Sequence, residues 1–405
     1  VRTLLLGVST RALAESAVRD GHDVVAVDFF GDRDQARRTE SYGLRRDLGL
    51  PATAEGLAEA ARRIDADAVV YGSNLENHPE VIEELAAQRR LLGNPADVVR
   101  EVRDWALLRR FCRDADIVHP VTLLPGEEPQ AGDGRWLKKR RRSGGGHGIV
   151  TWDRTRLDAD HLAQAEAGGV PASAAFVSDG RESRVFAVTE QLLGCRELGG
   201  AGFAWCGNLL PLALPAADAA SVRAEIGRMA TLLTRRFGLV GVNGMDLVIG
   251  RDAAGATRPY LIEVNPRFSG SMELTEAAGG VGVFTLHVEG VAGCLPSSPT
   301  LGRLSEGCVG KGIVYARRAV TTGDTGRWME RGLRDVPWPG ERIAAGHPVC
   351  TVFARGPDRE ACRVGLFEEA AGVYRDGDGA QHTASPGGHS ARGRRERRTT
   401  TAACG

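Results

Sequence analysis

Leu261-Ile262-Glu263-Val264-Asn265-Pro266-Arg267 is the segment on which the reading of this chain turns, together with Gly244-Met245-Asp246-Leu247-Val248-Ile249 just before it. Both are short apolar runs with polar residues at intervals, and the polar stretch 251–258 between them predicts a hairpin of two antiparallel strands. Strict alternation would put Glu263 and Asn265 on one face together with Leu261, and would turn Ile262 and Val264 to the other, the core face. Across the pair, Asp246 and Glu263 are expected to face each other. Two acids in that position repel unless a cation neutralises them. An acid pair with an amide two residues on is an oxygen-rich set that suits a hard cation. Pro266 fixes the exit of the strand, and Arg267 adds a positive charge suited to phosphoryl oxygens.

Upstream lies a second segment, Trp136-Leu137-Lys138-Lys139-Arg140 followed by Arg141-Arg142-Ser143-Gly144-Gly145-Gly146-His147-Gly148-Ile149. A strand bearing lysine runs into a glycine-rich turn and returns as a strand. Such a turn can close over phosphates without side-chain collision and can present successive backbone amides to them. It is not a Walker A loop, in which the lysine follows the glycines.

Outward from these segments, the first 95 residues read as strand, helix, strand in repetition. Strands are expected at Thr3–Val8, Val24–Phe29 and Ala68–Tyr71, and helices at 11–19, 54–64 and 79–88, which is the pattern of a parallel sheet with crossover helices. The turn Gly7-Val8-Ser9-Thr10 lacks the GxGxxG spacing, so a dinucleotide site is disfavoured even with Asp28 closing the second strand. Ser9 and Thr10, beyond a strand's carboxyl end, are better candidates for substrate contact. A single helix is expected over 97–113 and another over 219–237, with strands at 170–177 and 185–193. Residues 305–374 read as strand-like. The stretch 375–405, with its Arg392–Arg398 run, holds little to bury and reads as a disordered basic tail.

Bulk properties bound the function. The chain has 405 residues, enough for two or three domains, and equal numbers of acidic and basic residues (52 each) give no bulk attraction to nucleic acid. Eight scattered cysteines form no CxxC pair, which fits free thiols in a reducing compartment. No apolar run approaches the length of a membrane span, and no signal peptide is recognisable, so the expected location is the cytoplasm. Cys195 and Cys206 have no histidine placed to activate them, and no catalytic triad is expected.

In this order, the glycine loop, the Asp strand and the Glu-x-Asn-Pro-Arg segment resemble the ATP-grasp superfamily, and within it the predicted ATP-dependent carboligases related to biotin carboxylase. The resemblance covers about residues 1–374. It implies a mixed α/β and α+β architecture: a pre-ATP-grasp α/β domain over 1–95, an ATP-grasp domain of two subdomains over 96–300, and a strand-rich carboxyl-terminal region over 301–374. By the same resemblance, Lys139 contacts the ATP phosphates, and Ser143, Gly144, Gly145, Gly146 and His147 belong to a mobile flap over them. Gln164 and Glu166 meet the adenine and ribose at the hinge between subdomains. Asp246 and Glu263 hold one Mg²⁺, Glu263 and Asn265 a second, with Mn²⁺ an acceptable substitute, and Arg267 steadies the transferred phosphate. The chain departs from the family in its phosphate-contacting helix, which has no lysine. Arg103 is the expected substitute, since a guanidinium can hold phosphate through two bonds. Arg140 stands where proline often follows the strand lysine, and alternation lets only one of Lys138 and Lys139 face the nucleotide.

The implied activity is an ATP- and Mg²⁺-dependent ligase that joins a small-molecule carboxylate to an amine, with no nucleic-acid or membrane partner and a homodimer as the default assembly. A carboxylase of the biotin carboxylase kind, with any biotin carrier on another chain, is one alternative. A nucleotide-binding regulator without turnover is another.

Overall fold

The computed structural model describes residues 1–129, 134–252, 254–279, 282–297 and 307–382. Five clusters of buried apolar residues organise it. The first domain contains β1 (Thr3–Leu6), α1 (Arg11–Arg19), β2 (Val24–Asp28), α2 (Arg33–Ala36), β3 (Glu40–Gly43), α3 (Leu44–Asp47), α4 (Ala54–Arg63), β4 (Ala68–Tyr71), α5 (Pro79–Gln88) and β5 (Arg90–Leu91). Its sheet is wholly parallel, in the order β3-β2-β1-β4-β5. The all-apolar reading of β1 has its cause here: helices cover both faces of the sheet, and Leu4, Leu5 and Leu6 are fully buried.

The expected helix over 97–113 is two helices, α6 (Ala96–Val102) and α7 (Trp105–Asp114). Asp104 makes the break. Its carboxylate accepts from the backbone N–H groups of Ala106 (2.8 Å) and Leu107 (3.0 Å), capping a new helix rather than continuing the old one.

A small antiparallel sheet follows, with the order β6-β9-β7-β8, from β6 (Thr122–Leu123), β7 (Trp136–Arg140), β8 (Val150–Thr151) and β9 (His161–Ala165). The large sheet starts with β10 (Val170–Asp179), β11 (Ser183–Leu193) and β12 (Trp205–Leu210). Helix α8 (Ala216–Phe237) then leads to β13 (Val240–Arg251) and β14 (Thr257–Asn265). One face of the sheet receives Val222, Ile226, Met229 and Leu233 of α8, which pack on Phe176, Met245, Leu247 and Leu261. The other face meets α9 (Glu273–Ala277) and α10 (Val283–Val291). Phe284 and Leu286 of α10 share a core with Leu5, Leu13 and Ala17 of the first domain, so the two domains are joined through apolar packing.

The carboxyl-terminal region is not a separate sheet. Its strands β15 (Cys308–Tyr315), β16 (Val320–Thr321), β17 (Arg342–Ile343) and β18 (Pro348–Gly356) include a short helix, α11 (Gly326–Glu330), between β16 and β17. β15 pairs with β12, and β18 with β15, giving one seven-stranded sheet in the order β14-β13-β10-β11-β12-β15-β18. Without them β12 would present an unpaired edge. The strand-rich expectation also misses a terminal helix, α12 (Arg359–His382), in which Cys362, Leu366, Ala370 and Val373 bury against Val314 and Val352. Disorder from residue 375 is therefore corrected at its start, because the helix runs on to His382. Asp376 accepts from the Trp328 indole (3.0 Å) and from Arg331 (3.1 Å). The Arg392–Arg398 run lies outside the described residues. Among the described residues no helix is long and apolar enough to cross a membrane, and the seven described cysteines are free thiols.

Candidate active site

The first domain, the small sheet, the large sheet and the carboxyl-terminal strands converge on one cavity of about 850 Å³. It is lined by Lys139, Ser143, Gly144, Gly145, Gly146, His147, Gln164, Glu166, Asp246, Glu263, Asn265 and Arg267, and so brings together every sequence-expected site residue but Arg103.

The acid pair is built by the hairpin. Asp246 on β13 is directly opposite Glu263 on β14, as expected. The Asp246 carboxyl is pushed up to about 7, first by burial and then by the Glu263 charge. Donors steady it: Gln191 Nε2 reaches Oδ1 at 2.8 Å and Asn265 Nδ2 reaches Oδ2 at 3.2 Å. The pairing then slips. Leu247 faces Leu261, so Ile262 is an extra residue, a bulge on β14. This overturns the strict alternation read from the sequence. Leu261 is fully buried in the core, whereas Ile262 is half-buried and lines the cavity beside Glu263.

The following turn is held from the first domain. Asn94 Nδ2 donates to the Pro266 carbonyl (3.0 Å), and Tyr71 donates to the Asn94 and Pro266 carbonyls (2.9 and 3.2 Å). Arg267 forms an ion pair with buried Glu76 at 2.5 Å. Burial opposes charge on both members, but each outweighs it for the other: the Arg267 pKa is raised and that of Glu76 lowered. Arg267 Nη2 also reaches Asn265 Oδ1 at 3.3 Å. Glu76 was not found from sequence, because nothing in Leu75-Glu76-Asn77 sets it apart from a solvated turn.

On the facing wall, Lys139 rather than Lys138 turns into the cavity, where its ammonium donates to Gln164 Oε1 at 2.7 Å. Its pKa is lowered by burial, against the pull of Glu263 and Asp246. Gln164 donates in turn to Thr122 (3.1 Å), and Glu166 pairs with Arg135 (3.1 Å) on the strip that joins the small sheet to the large one. The glycine loop docks across the cavity: Trp205 N–H donates to the Gly145 carbonyl at 2.9 Å. At Gly146, φ is +71°, and a Cβ there would lie 1.9 Å from the Phe203 carbonyl oxygen, so only glycine fits.

Arg103 is elsewhere. Its guanidinium lies behind the acid pair, donating to Glu263 Oε2 (3.3 Å), the Val264 carbonyl (3.1 Å) and Asn77 Oδ1 (3.2 Å). The break at Asp104 ends α6 beneath β14, which commits Arg103 to positioning Glu263 rather than lining the cavity. Asp28 is likewise a structural acid. It accepts from Thr10 N–H, Thr10 Oγ1, Phe30 N–H and Gly31 N–H at 2.7–3.0 Å, which uses up its capacity.

The cavity is also lined by Ser9, Thr10, Arg11, Phe29, Phe30, Asp32, Lys311, Asp335 and Glu341. Arg11, almost fully buried, forms ion pairs with Glu273 and with Asp335 (3.0 Å), and Lys311 joins Glu273 at 2.6 Å. Asp335 comes from the carboxyl-terminal region, 324 residues from its partner, and no local pattern announces it. Ser9 and Thr10, the sequence candidates for substrate contact, line the cavity, as do Gln191, Ser269 and Ser271. Glu190 faces Arg359, and Arg184 bonds the Ser183 carbonyl.

The donor set fits a hard cation. Asp246 and Glu263 oppose each other, burial and then the Glu263 charge raise the proton affinity of Asp246, and Asn265 adds a neutral oxygen ligand. Among the described residues no group of three or more His, Cys, Asp or Glu forms a metal site.

Residues 103–271 match the family described as ATP-grasp domain. No curated protein sequence matches the chain. Among solved structures, the biotin carboxylase domain of Hydrogenobacter thermophilus 2-oxoglutarate carboxylase, in complex with MgADP, ADP and bicarbonate, is similar with a TM-score of 0.64 and 15% identity, over 92% of this chain and 89% of that one. Carboxyaminoimidazole ribonucleotide synthase from Aspergillus clavatus, complexed with ATP, gives 0.65 and 13% over 92% and 98%. An L-amino acid ligase from Bacillus licheniformis gives 0.62 and 15% over 92% and 97%. The domain match, the shared fold and the acid pair facing a buried lysine beside the glycine loop together identify residues 103–271 as an ATP-grasp domain.

Proposed function

We propose that the protein is a ligase that activates a small-molecule carboxylate with ATP and joins it to an amine. The observation that carries this reading is the opposition, across one cavity, of Asp246, Glu263 and Asn265 to Lys139 and the docked glycine loop. Asp246, Glu263 and Asn265 are the residues that would hold Mg²⁺, whose chemistry there is to neutralise charge on the phosphates. Lys139 and the loop amides bind the phosphate oxygens. Gln164 and Glu166 line the strip where the base and ribose fit. Arg103 keeps the Glu263 carboxylate turned into the cavity, and Glu76 holds Arg267 charged and aimed at the transferred group.

The chemistry balances without a protein nucleophile. A carboxylate oxygen attacks the γ-phosphorus, the bond to ADP breaks, and an acyl phosphate forms. A neutral amine then attacks the carbonyl carbon, phosphate leaves with the bonding electrons, and the amine proton passes to solvent or phosphate. The protein's part is alignment, charge balance and exclusion of water.

Two measurements test the reading. Calorimetry with a non-hydrolysable ATP analogue and Mg²⁺ should give saturable binding, and its absence sinks the assignment. ADP release screened over carboxylate and amine pairs should require both partners. Release with bicarbonate alone would move the assignment to a carboxylase, and no release with any pair would favour a binding protein. In the active pair, Glu263→Gln should lower turnover by roughly 10²-fold, the scale of losing one preorganised electrostatic contact, with little change in melting temperature. Normal turnover with early melting would make Glu263 a structural residue.

A further inference from the structure

The wall of the cavity that the loop after β2 supplies carries an acid that the fold leaves without a partner. Asp32 follows Phe29-Phe30-Gly31, on the loop after β2, and lines the cavity with Phe29 and Phe30. It is only 6% exposed. Its carboxylate has no hydrogen-bond or ion-pair partner among the described residues. Neighbouring acids are all accounted for. Asp28 is filled by four donors from its own turn and from Thr10, and Asp34 accepts from the backbone N–H groups of Asp335 (3.1 Å) and Val336 (2.8 Å). Asp335 is held by Arg11, and Glu341 accepts from Trp338 N–H at 3.3 Å.

The nearby arginines are committed elsewhere as well. Arg11 serves Glu273 and Asp335, Arg33 reaches Thr325 (3.2 Å), and Arg46 pairs with Asp47 (2.7 Å). Burial and the charges of Asp335, Asp28, Asp34 and Glu341 all raise the Asp32 pKa. A buried carboxylate set among acids costs stability unless a cation meets it. The acids of this region do not converge as a metal site among the described residues. Two phenyl rings beside a lone carboxylate suit instead an ammonium carried on an apolar chain.

We propose that Asp32, with Asp335 and Glu341 lining the same cavity, is the subsite for a protonated amino group of the substrate. The proposal rests on the reading of this cavity as the ligase active site, and it narrows the substrate class to molecules with a cationic amine distinct from the reacting groups. The bound ammonium cannot be the attacking nitrogen, since a protonated amine has no free electron pair. It is a recognition handle rather than a reacting group.

The test is calorimetry of the whole protein with L-lysine, L-ornithine and 1,4-diaminobutane, beside Nε-acetyl-L-lysine and L-norleucine as counterparts lacking the terminal charge. At least one of the three amines should bind saturably. The acetylated and uncharged compounds should bind at least 10-fold more weakly, and Asp32→Asn and Glu341→Gln should each weaken the amine by a similar factor. Affinity for the ATP analogue should stay within about 2-fold in Asp32→Asn, so a failure to bind nucleotide at all, which concerns the ligase reading, is read separately from a failure to bind amines. Without ligand at pH 8, Asp32→Asn should melt at or above the wild type, because it removes an uncompensated buried charge. The proposal is overturned if none of the amines binds, if the acetylated compound binds as well as lysine, or if Asp32→Asn keeps full amine affinity. It is equally overturned if Asp32→Asn melts early while Glu341→Gln binds amines normally, since Asp32 would then be a structural carboxylate.

Discussion

Asp246 shows how one residue records a site's purpose in its own energetics. Its pKa in the folded protein is about 7, raised by burial and by Glu263. An acid whose folded-state pKa exceeds its unfolded value of about 3.9 leaves stability unaffected below that value and costs stability progressively as pH rises towards the folded pKa. Three units would correspond to about 4 kcal/mol at 1.36 kcal/mol each. Water entering the cavity reduces this, to an expected cost on the order of 1–2 kcal/mol. Thermal melts of the nucleotide-free protein should therefore fall between about pH 4 and pH 7. Asp246→Asn should flatten that fall and melt higher at pH 8, and an unchanged profile would mean that the two acids are already compensated. The bulge gives a second residue-scale contrast. Leu261→Ala should cost about 2–5 kcal/mol, as for other fully buried leucines, and Ile262→Gln should leave the melt nearly unchanged while weakening the ATP analogue. Strict alternation predicts the reverse for Ile262, so melts and nucleotide titrations of both variants decide between the two registers.

At the scale of elements, the glycine loop is legible as a motif but not as a contact. Its glycines announce backbone freedom, yet what they fit against is the 202–205 turn between β11 and β12, some 60 residues on. Gly146 makes the case, because there both its positive φ and the Phe203 carbonyl exclude a side chain. Gly146→Ala should keep the loop off that turn, raising KM for ATP by about 10-fold or more, in the range seen when a lid closes imperfectly, with the melting temperature unchanged within a degree or two. A large loss of stability would instead make the docked loop part of the core. Backbone hydrogen exchange adds a check: residues 143–148 should gain protection when the ATP analogue binds. Helix α6 teaches a related lesson. Its apolar stripe runs on through Trp105, Leu108 and Phe111, and periodicity sees one helix. The capping carboxylate of Asp104 redirects the chain, and in doing so places Arg103 under Glu263 rather than against phosphate.

On the scale of the molecule, the cavity belongs to no single domain. The first domain supplies Arg11, Asp32 and Glu76, the small sheet Lys139 and Gln164, the large sheet Asp246 and Glu263, and the carboxyl-terminal strands Lys311 and Asp335. The last region is kept in place by α12, in which Cys362, Leu366, Ala370 and Val373 are buried in its core and Asp376 reaches the Trp328 indole. A chain ending at Tyr374 loses Asp376 and leaves the buried Trp328 indole N–H unpaired, at a cost of about 1–3 kcal/mol. For a protein of this size that is a fall of several degrees, at roughly 2–4 °C per kcal/mol. A chain ending at His382 should melt like the full-length protein. Equal melting of the two truncations would show that the Asp376 contacts carry no weight.

What could be read along the chain was whatever local periodicity and chemistry encode: the parallel β-α alternation of the first domain, the hairpin that sets Asp246 against Glu263, and the glycine loop after a lysine strand. Burial on both faces writes a continuous apolar run, and a two-acid strand pair is conspicuous because it is costly without a cation. What could not be read depends on residues brought together from afar. Choosing Lys139 over Lys138 requires the β7–β9 register, and turning Ile262 into the cavity requires the bulge against β13. Joining β15 and β18 to the large sheet requires the free edge of β12. The Glu76–Arg267 and Arg11–Asp335 pairs span 191 and 324 residues, and no spacing rule links positions so far apart, because their meeting is fixed by how whole sheets pack.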